Sequence, residues 1–279
     1  MSAATDADAI KALAPLREVI RDAGLQATKA LGQNFLLDLN LTASIARLNG
    51  DLDNLDVVEI GPGPGGLTRA LLLAGARAVH AIEFDARAVA ALAPLVAASG
   101  GRLAVHQCDA LDCDILSYGD TVIANLPYNV ATPILINLAR ESARVRFMLL
   151  MFQKEVAERI VAAPGSKTYG RLSVICQWLF HARVVKTLPP GAFTPPPKVH
   201  SAVVLFTPRP RTDTVRFSTM ERVNAAAFGQ RRKMLRGALG DLARFLPQAG
   251  IDPTARAEDV GVDAFVRLAQ CVEDEGGPT

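Results

Sequence analysis

The sequence predicts an α/β protein: a mostly parallel sheet with helices on both faces, followed by a small helical domain. Three observations predict it. From Val57 onward, short β-rich runs alternate with helical stretches. A glycine-rich turn, Glu59-Ile60-Gly61-Pro62-Gly63-Pro64-Gly65-Gly66, follows the first of those runs. The composition then shifts at Pro208-Arg209-Pro210-Arg211, beyond which the spacing is helical. In chain order, residues 6–23 and 39–49 have helical spacing, with a polar, glycine-containing segment between them. Strands are expected at 57–60, 78–83, 103–108, 121–124 and 145–151, and helices at 67–74, 86–98, 132–140 and 154–162. The runs 172–180, 184–188 and 201–206 have no long helix between them and suggest an antiparallel finish to the sheet. Helices are expected again at 218–228, 231–246, 255–259 and 262–272, and the tail from Glu273 as disordered. This places one domain, with an N-terminal helical extension, over residues 1–208 and a second over 209–279.

With 279 residues, half of them hydrophobic, the chain is long enough for a large domain and a smaller one. The formal net charge is only +2, so any argument about a polyanionic partner rests on local clusters. Cys108, Cys113, Cys176 and Cys271 form no C-x-x-C pair and no metal spacing, and are expected as reduced thiols. His80, His106, His181 and His200 fall at strand positions and are read as structural, with no metal. The start carries Asp6 and Asp8 and lacks the basic-then-apolar pattern of a secretory signal. The alanine-rich run 86–98 is broken by Arg87 and Pro94 and is too short to span a bilayer. A cytoplasmic setting is expected.

The glycine loop satisfies G-x-G-x-x-G at Gly61, Gly63 and Gly66. Glu83 ends the next strand, 22 positions after Gly61, where a carboxylate can hold two ribose hydroxyls. NAD and S-adenosylmethionine share that adenosine end. Pro62 and Pro64 discriminate between them, because a pyrophosphate needs backbone N–H donors that proline lacks. A sulfonium cation suits the acidic neighbours Glu59, Glu83 and Asp109 better. Asp109 follows the third strand, where it could accept from an adenine amine or simply cap a helix.

Asn125-Leu126-Pro127-Tyr128 follows the strand-like run Thr121-Val122-Ile123-Ala124. It offers an amide oxygen, carbonyls held by a proline, and an aromatic face. Those groups suit a flat base with an exocyclic amine. The Asn125 oxygen and a carbonyl of Leu126 or Pro127 could draw the amine nitrogen towards tetrahedral geometry and aim it, while Tyr128 stacks on the ring. No strong base is required, since the amine proton becomes acidic as the new bond forms.

With these residues in view, the chain resembles the ribosomal RNA adenine N6,N6-dimethyltransferase family, most closely its bacterial small-subunit member. The matching residues are Gly32-Gln33-Asn34-Phe35-Leu36, Glu59 to Gly63, Glu83, Asp109 and Asn125 to Tyr128. Phe193-Thr194-Pro195-Pro196-Pro197 through Val203, and Phe228-Gly229-Gln230-Arg231-Arg232-Lys233-Met234-Leu235-Arg236, match as well. The resemblance covers about residues 28–270 and implies a Rossmann-like class I methyltransferase sheet. It implies two methyl transfers from S-adenosylmethionine to each of two adjacent adenines in a hairpin loop near the 3′ end of small-subunit ribosomal RNA. It further implies that Asn34 and Leu36 close over the cofactor, and that Gly61, Gly63, Glu83, Asp109 and Asn125 contact it. Phe193 would face Tyr128 across the flipped base. The expected partner is the immature small ribosomal subunit, met by a monomer with no membrane contact.

Arg231, Arg232, Lys233 and Arg236 form the densest basic group, and a helix would put Arg232 and Arg236 on one face towards phosphates. Lys154, Arg159, Lys167 and Arg171 surround a second candidate RNA-contacting loop, whereas Arg140, Arg144 and Arg146 read as a sheet rim. Two rival functions share the core motifs: a large-subunit ribosomal RNA adenine methyltransferase, and a non-catalytic assembly or transcription factor. The Phe193 segment favours the small-subunit reading over the first. The complete Asn125–Tyr128 motif with Glu83 favours chemistry over the second.

Overall fold

A computed structural model of the chain describes residues 3–25, 34–230 and 232–276. The elements run α1 (Ala3–Lys11), α2 (Leu16–Asp22), β1 (Phe35–Leu36), α3 (Leu39–Ala46), β2 (Asp56–Ile60), α4 (Gly66–Leu73) and β3 (Ala78–Glu83). They continue α5 (Ala86–Ala91), α6 (Ala93–Ala98), β4 (Leu103–Gln107), β5 (Thr121–Asn125), α7 (Ala131–Arg140), β6 (Phe147–Gln153), α8 (Lys154–Ile160) and α9 (Arg171–Leu179). The chain ends with β7 (Phe180–Leu188), β8 (Phe193–Thr194), β9 (Ser201–Pro208), α10 (Phe217–Ala227), α11 (Leu235–Ala238) and α12 (Val262–Gly276). Proline explains two interruptions of the expected helices. Pro15 precedes α2, and Pro94 lies in the first turn of α6, where a missing N–H costs nothing.

The chain divides into two compact units: Met1–Lys154 with Val184–Thr207, and Glu155–Arg183 with Pro208–Thr279. The division differs from the single boundary expected after residue 208. The reason is α9, expected as a strand and found as a helix. Residues 172–179 are mostly apolar, with Ser173 and Gln177 the polar members, and so short a run does not distinguish the two states by periodicity. The Ser173 hydroxyl decides locally: it accepts from the Gly170 N–H at 3.0 Å at the helix start. The helix then packs against α10 and α12, burying Leu172, Ile175, Trp178 and Leu179.

The first unit is built on a seven-stranded sheet in the order β4-β3-β2-β5-β6-β9-β7. β2 runs parallel to β3 and β5, β3 to β4, and β5 to β6, whereas β9 is antiparallel to β6. The sequence expectation of a parallel sheet with an antiparallel finish holds. The chain moves outward from β2 to β4, then returns to place β5 on the other side of β2. The C-terminal ends of β2 and β5 thus flank the point where strand order reverses, where open α/β sheets bind ligands. Val57, Val79, Ala81, Ile123, Leu149 and Met151 face one common core with helix residues such as Leu71 and Leu92. The N-terminal helical extension is part of this unit. Ile10 and Leu16 are buried, and the Arg69 guanidinium donates to Ala14 O at 2.9 Å, tying the link between α1 and α2 to α4.

In the second unit, α12 continues to Gly276, so Glu273 to Glu275 are helical where a disordered tail was expected. Glu273 accepts from the Arg216 backbone N–H at 2.9 Å, which holds that last turn. The single helix expected over 231–246 is also absent. Met234 bridges Arg256, and the Leu235 N–H donates to Ala255 O at 2.8 Å, so this backbone pairs across the unit before the one-turn α11 begins. Arg232 and Lys233 consequently precede α11, and Arg232 does not share a helix face with Arg236. All three are exposed, and Arg231 lies outside the described residues.

Candidate active site

The loop after β2 packs so closely that only glycine fits. Gly61, Gly63 and Gly65 have φ of 68°, 51° and 86°, in the left-handed region where a side chain is strained. A Cβ on Gly63 would meet the Phe35 ring at 2.8 Å, and one on Gly66 would meet Leu36 O at 2.5 Å. β1 is therefore laid directly over the loop, and β8 holds it there by antiparallel pairing of Leu36 with Phe193 and Phe35 with Thr194. The loop's own amides are already committed. Gly61 N–H donates to Ile82 O at 2.9 Å, Gly65 N–H to Pro62 O at 2.9 Å, and Gly63 N–H to Glu83 Oε2 at 3.2 Å. Together with the two prolines, this leaves residues 61–65 no amide to cradle a phosphate.

The Glu83 carboxylate also accepts from the Asp85 N–H at 2.9 Å. Burial pushes its pKa up, and these backbone donors pull against that shift. Deeper still, Glu59 is fully buried with Oε2 lacking a partner. Its pKa is pushed up to about 8, chiefly by burial, with the Glu83 charge adding and the Thr68 hydroxyl opposing.

β5 supplies the second half of the site. At its end Asn125 donates from Nδ2 to Asn34 O at 2.9 Å, which leaves Oδ1 as the acceptor of that amide. Pro127 O accepts from the Val130 N–H at 3.1 Å, closing a turn, whereas Leu126 O accepts from no described residue. Gly61 faces Pro127: a Cβ on the glycine would lie 3.5 Å from the proline ring, in ordinary van der Waals contact. The Tyr128 hydroxyl is paired with Ser201 Oγ, and burial pushes its pKa up.

One cleft gathers Asn34, Phe35, Gly61, Gly63, Glu83, Asn125, Leu126, Pro127 and Tyr128. Several residues named from the sequence do not line it, and Glu59, expected beside the sulfonium, is one of them because it is fully buried. Leu36 and Phe193 are buried as partners of the β1–β8 ladder, and both pack in the core. Asp109 lies just beyond β4, half-buried, with Oδ1 capping a turn by accepting from the Leu111 N–H at 2.9 Å. Gly32 and Gln33 lie outside the described residues. Sequence reasoning quoted Phe35 and Ser201 within longer motifs but gave neither a role; the structure puts Phe35 against the glycine loop and Ser201 on the Tyr128 hydroxyl. The close approach of Phe35 to a glycine carries no periodic signal.

The family model for ribosomal RNA adenine dimethylases matches residues 24–274. The chain belongs to that family. Curated relatives agree across nearly the whole length. The ribosomal RNA small subunit methyltransferase A of Rhodospirillum rubrum is 56% identical over 271 residues, spanning 95% of this chain and 94% of the relative. Its counterpart in Ruegeria pomeroyi is 57% identical over 274 residues, spanning 94% and 98%. Two solved structures share the fold at 23% identity. They are a dimethyladenosine transferase from Plasmodium falciparum, with a TM-score of 0.72 over 83% of this chain and 94% of that one, and the 23S rRNA methyltransferase ErmE, with 0.64 over 85% and 98%. As a member of the ribosomal RNA adenine dimethylase family, the chain is an S-adenosylmethionine-dependent methyltransferase. The residues present fit that cofactor: a buried carboxylate at Glu83 on the cleft wall, and a glycine loop whose residues 61–65 have no spare amide for a phosphate.

Proposed function

We propose that this chain methylates the N6 amines of two adjacent adenines in a hairpin loop near the 3′ end of small-subunit ribosomal RNA, giving N6,N6-dimethyladenosine at each. The observation that carries the reading is the junction of two motifs, far apart in the sequence, on adjacent strand ends. The glycine loop with Glu83 and the Asn125–Tyr128 corner open into one cleft. The curated relatives named above are ribosomal RNA small subunit methyltransferases by name, which supports the small-subunit part of the reading.

In this reading Glu83 holds the ribose hydroxyls of the cofactor, with Gly61, Gly63 and Asn34 along the same wall and Asp109 towards the adenine. When bound, the cofactor supplies an electrophilic methyl group on a sulfonium. Asn125 Oδ1 and the Leu126 carbonyl accept the two hydrogens of the target amine and turn its lone pair towards that methyl. Tyr128 stacks on the adenine. The hydrogen-bonding pattern favours Leu126 over Pro127 as the second acceptor, because the Pro127 carbonyl already serves the Val130 amide. Phe193 and Leu36 act by holding β1 over the loop, and Phe193 reaches the target base only with a shift of that ladder. The Arg232, Lys233 and Arg236 side chains, with Arg231, contact RNA phosphates. No helix of the described residues is long and apolar enough to cross a membrane. The enzyme works in the cytoplasm as a monomer on an immature small subunit.

Labelled S-adenosylmethionine incubated in parallel with immature small subunits and with immature large subunits, followed by mapping of the modified bases, tests the reading. Dimethylation of an adjacent adenine pair in the 3′ hairpin loop is the expected result. Label appearing only in large-subunit RNA would move the assignment to the other ribosomal subunit.

A further inference from the structure

Ser201 is the first residue of β9, which runs antiparallel to β6, so it lies at the edge of the sheet where β2 and β5 end. It opposes Gln153, the last residue of β6, and the backbone carbonyl of its neighbour His200 accepts from the Lys154 N–H at 2.9 Å. Backbone bonds on both sides therefore fix its position. The side chain is fully buried, and Oγ lies 2.5 Å from the Tyr128 hydroxyl. Tyr128 belongs to the loop after β5, and β6 separates β5 from β9 in the sheet. The contact thus reaches over the end of β6 to join two non-adjacent strands.

The Tyr128 ring is anchored at both ends: at its backbone by the Pro127–Val130 turn, and at its hydroxyl by Ser201. The phenol keeps its proton, since burial pushes its pKa up, so it serves as a hydrogen-bonding group and not as a base. A ring held at one end only can pivot about its Cα–Cβ and Cβ–Cγ bonds. A ring held at both ends presents one plane. We infer that Ser201 is a positioning residue: through the Tyr128 hydroxyl it sets the plane on which the target adenine stacks, and hence the aim of the amine at Asn125. The inference rests on the reading that Tyr128 stacks on the base.

The demand for aim is highest at the second transfer. The amine nitrogen then already bears one methyl group and has one hydrogen left, so only one of the two acceptors, Asn125 Oδ1 or Leu126 O, still restrains it. The stacking plane carries more of the orientation. Removal of the Ser201 hydrogen bond is therefore read first in the ratio of products.

The test compares Ser201→Ala, Tyr128→Phe, the double variant and Tyr128→Ala on small-subunit RNA substrate. It measures turnover, KM for the RNA, and the ratio of monomethylated to dimethylated adenine. Tyr128→Phe keeps the ring and removes the same hydrogen bond, so it carries the test should Ser201→Ala fail to fold. Both single variants are expected to lower kcat by roughly tenfold to a hundredfold, with KM within about twofold and monomethyladenine accumulating. The double variant is expected to be no worse than either single one, because both remove one interaction. A merely structural role for Ser201 would lower the melting temperature and leave the product ratio unchanged, overturning the inference. If Tyr128→Ala is slow while Ser201→Ala and Tyr128→Phe match wild type in rate and product ratio, the inference fails and the stacking role of Tyr128 stands. If Tyr128→Ala itself matches wild type, the reading of the corner fails.

Discussion

Asn125 is the residue whose geometry speaks most directly to rate. Its Nδ2 is held by Asn34 O, so the amide is already turned before any base arrives. Asn125→Ala removes an acceptor and its orientation, and should lower turnover by about 2–4 kcal/mol, a hundredfold or more. RNA affinity should change little. Single-turnover methylation beside a filter-binding titration checks both expectations. Glu83→Ala should weaken S-adenosylmethionine binding by about 1–3 kcal/mol, the worth of a charge-assisted acceptor, and calorimetry reads it directly. The same titration with NAD should give no heat. Glu59 leads to a pH expectation. Its folded pKa is raised to about 8 from an ordinary 4.5, so the native chain keeps a proton that the unfolded chain releases. Below pH 4.5 both states are protonated, and between about 4.5 and 8 stability falls as pH rises, by at most about 1.4 kcal/mol per pH unit from this group. Urea unfolding at pH 5.5 and 7.5 should show that loss, and Glu59→Gln should remove it.

At the scale of elements, the site depends on how β1 lies over the glycine loop. A Cβ at Gly66 would sit 2.5 Å from Leu36 O, a backbone atom that cannot rotate away. Gly66→Ala should therefore push β1 off the loop, cost about 1–3 kcal/mol of stability and weaken cofactor binding. Chemical denaturation and calorimetry on the same preparation separate the two effects. That close approach was not legible in the sequence. The third glycine of G-x-G-x-x-G could be read as a turn residue, but nothing at Leu36 signals what it packs against. β1 and β8 were missed for a related reason. Each is two residues long, too short to establish a period, and each exists only because the other is there. The longer strands β2, β3, β5 and β6 were legible because their apolar residues recur with turn residues between them. The α9 run is short and mostly apolar, and beyond the local Ser173 hydrogen bond the helix is supported by α10 and α12, which lie much further along the chain.

At the scale of the molecule, charge and substrate form come together. The net charge of +2 gives no general attraction to RNA, and several arginines are neutralised where they stand. Arg144 pairs with Asp114 and Arg146 with Asp120, which agrees with their reading as a sheet rim. Arg232, Lys233 and Arg236 are exposed, and they cluster in sequence even though α11 begins only at Leu235. Affinity for naked RNA should therefore come from few phosphates. Replacing these three with alanine should weaken binding and make its salt dependence shallower, since a protein that neutralises fewer phosphates releases fewer counterions. The chemistry adds a second constraint. A cleft that grips one adenine by its amine edge and one face needs the base out of its stack, which costs least in a loop. With weak general attraction and a base that must be extruded, the chain has little means of opening a duplex by itself. An immature small subunit that displays the adenine pair should be methylated faster than naked small-subunit RNA, and a short perfect duplex slowest. Initial rates on the three substrates at equal adenine concentration measure the order. Equal rates on subunit and duplex would mean that base extrusion is driven by contacts in the protein outside the cleft and the Arg232–Arg236 cluster.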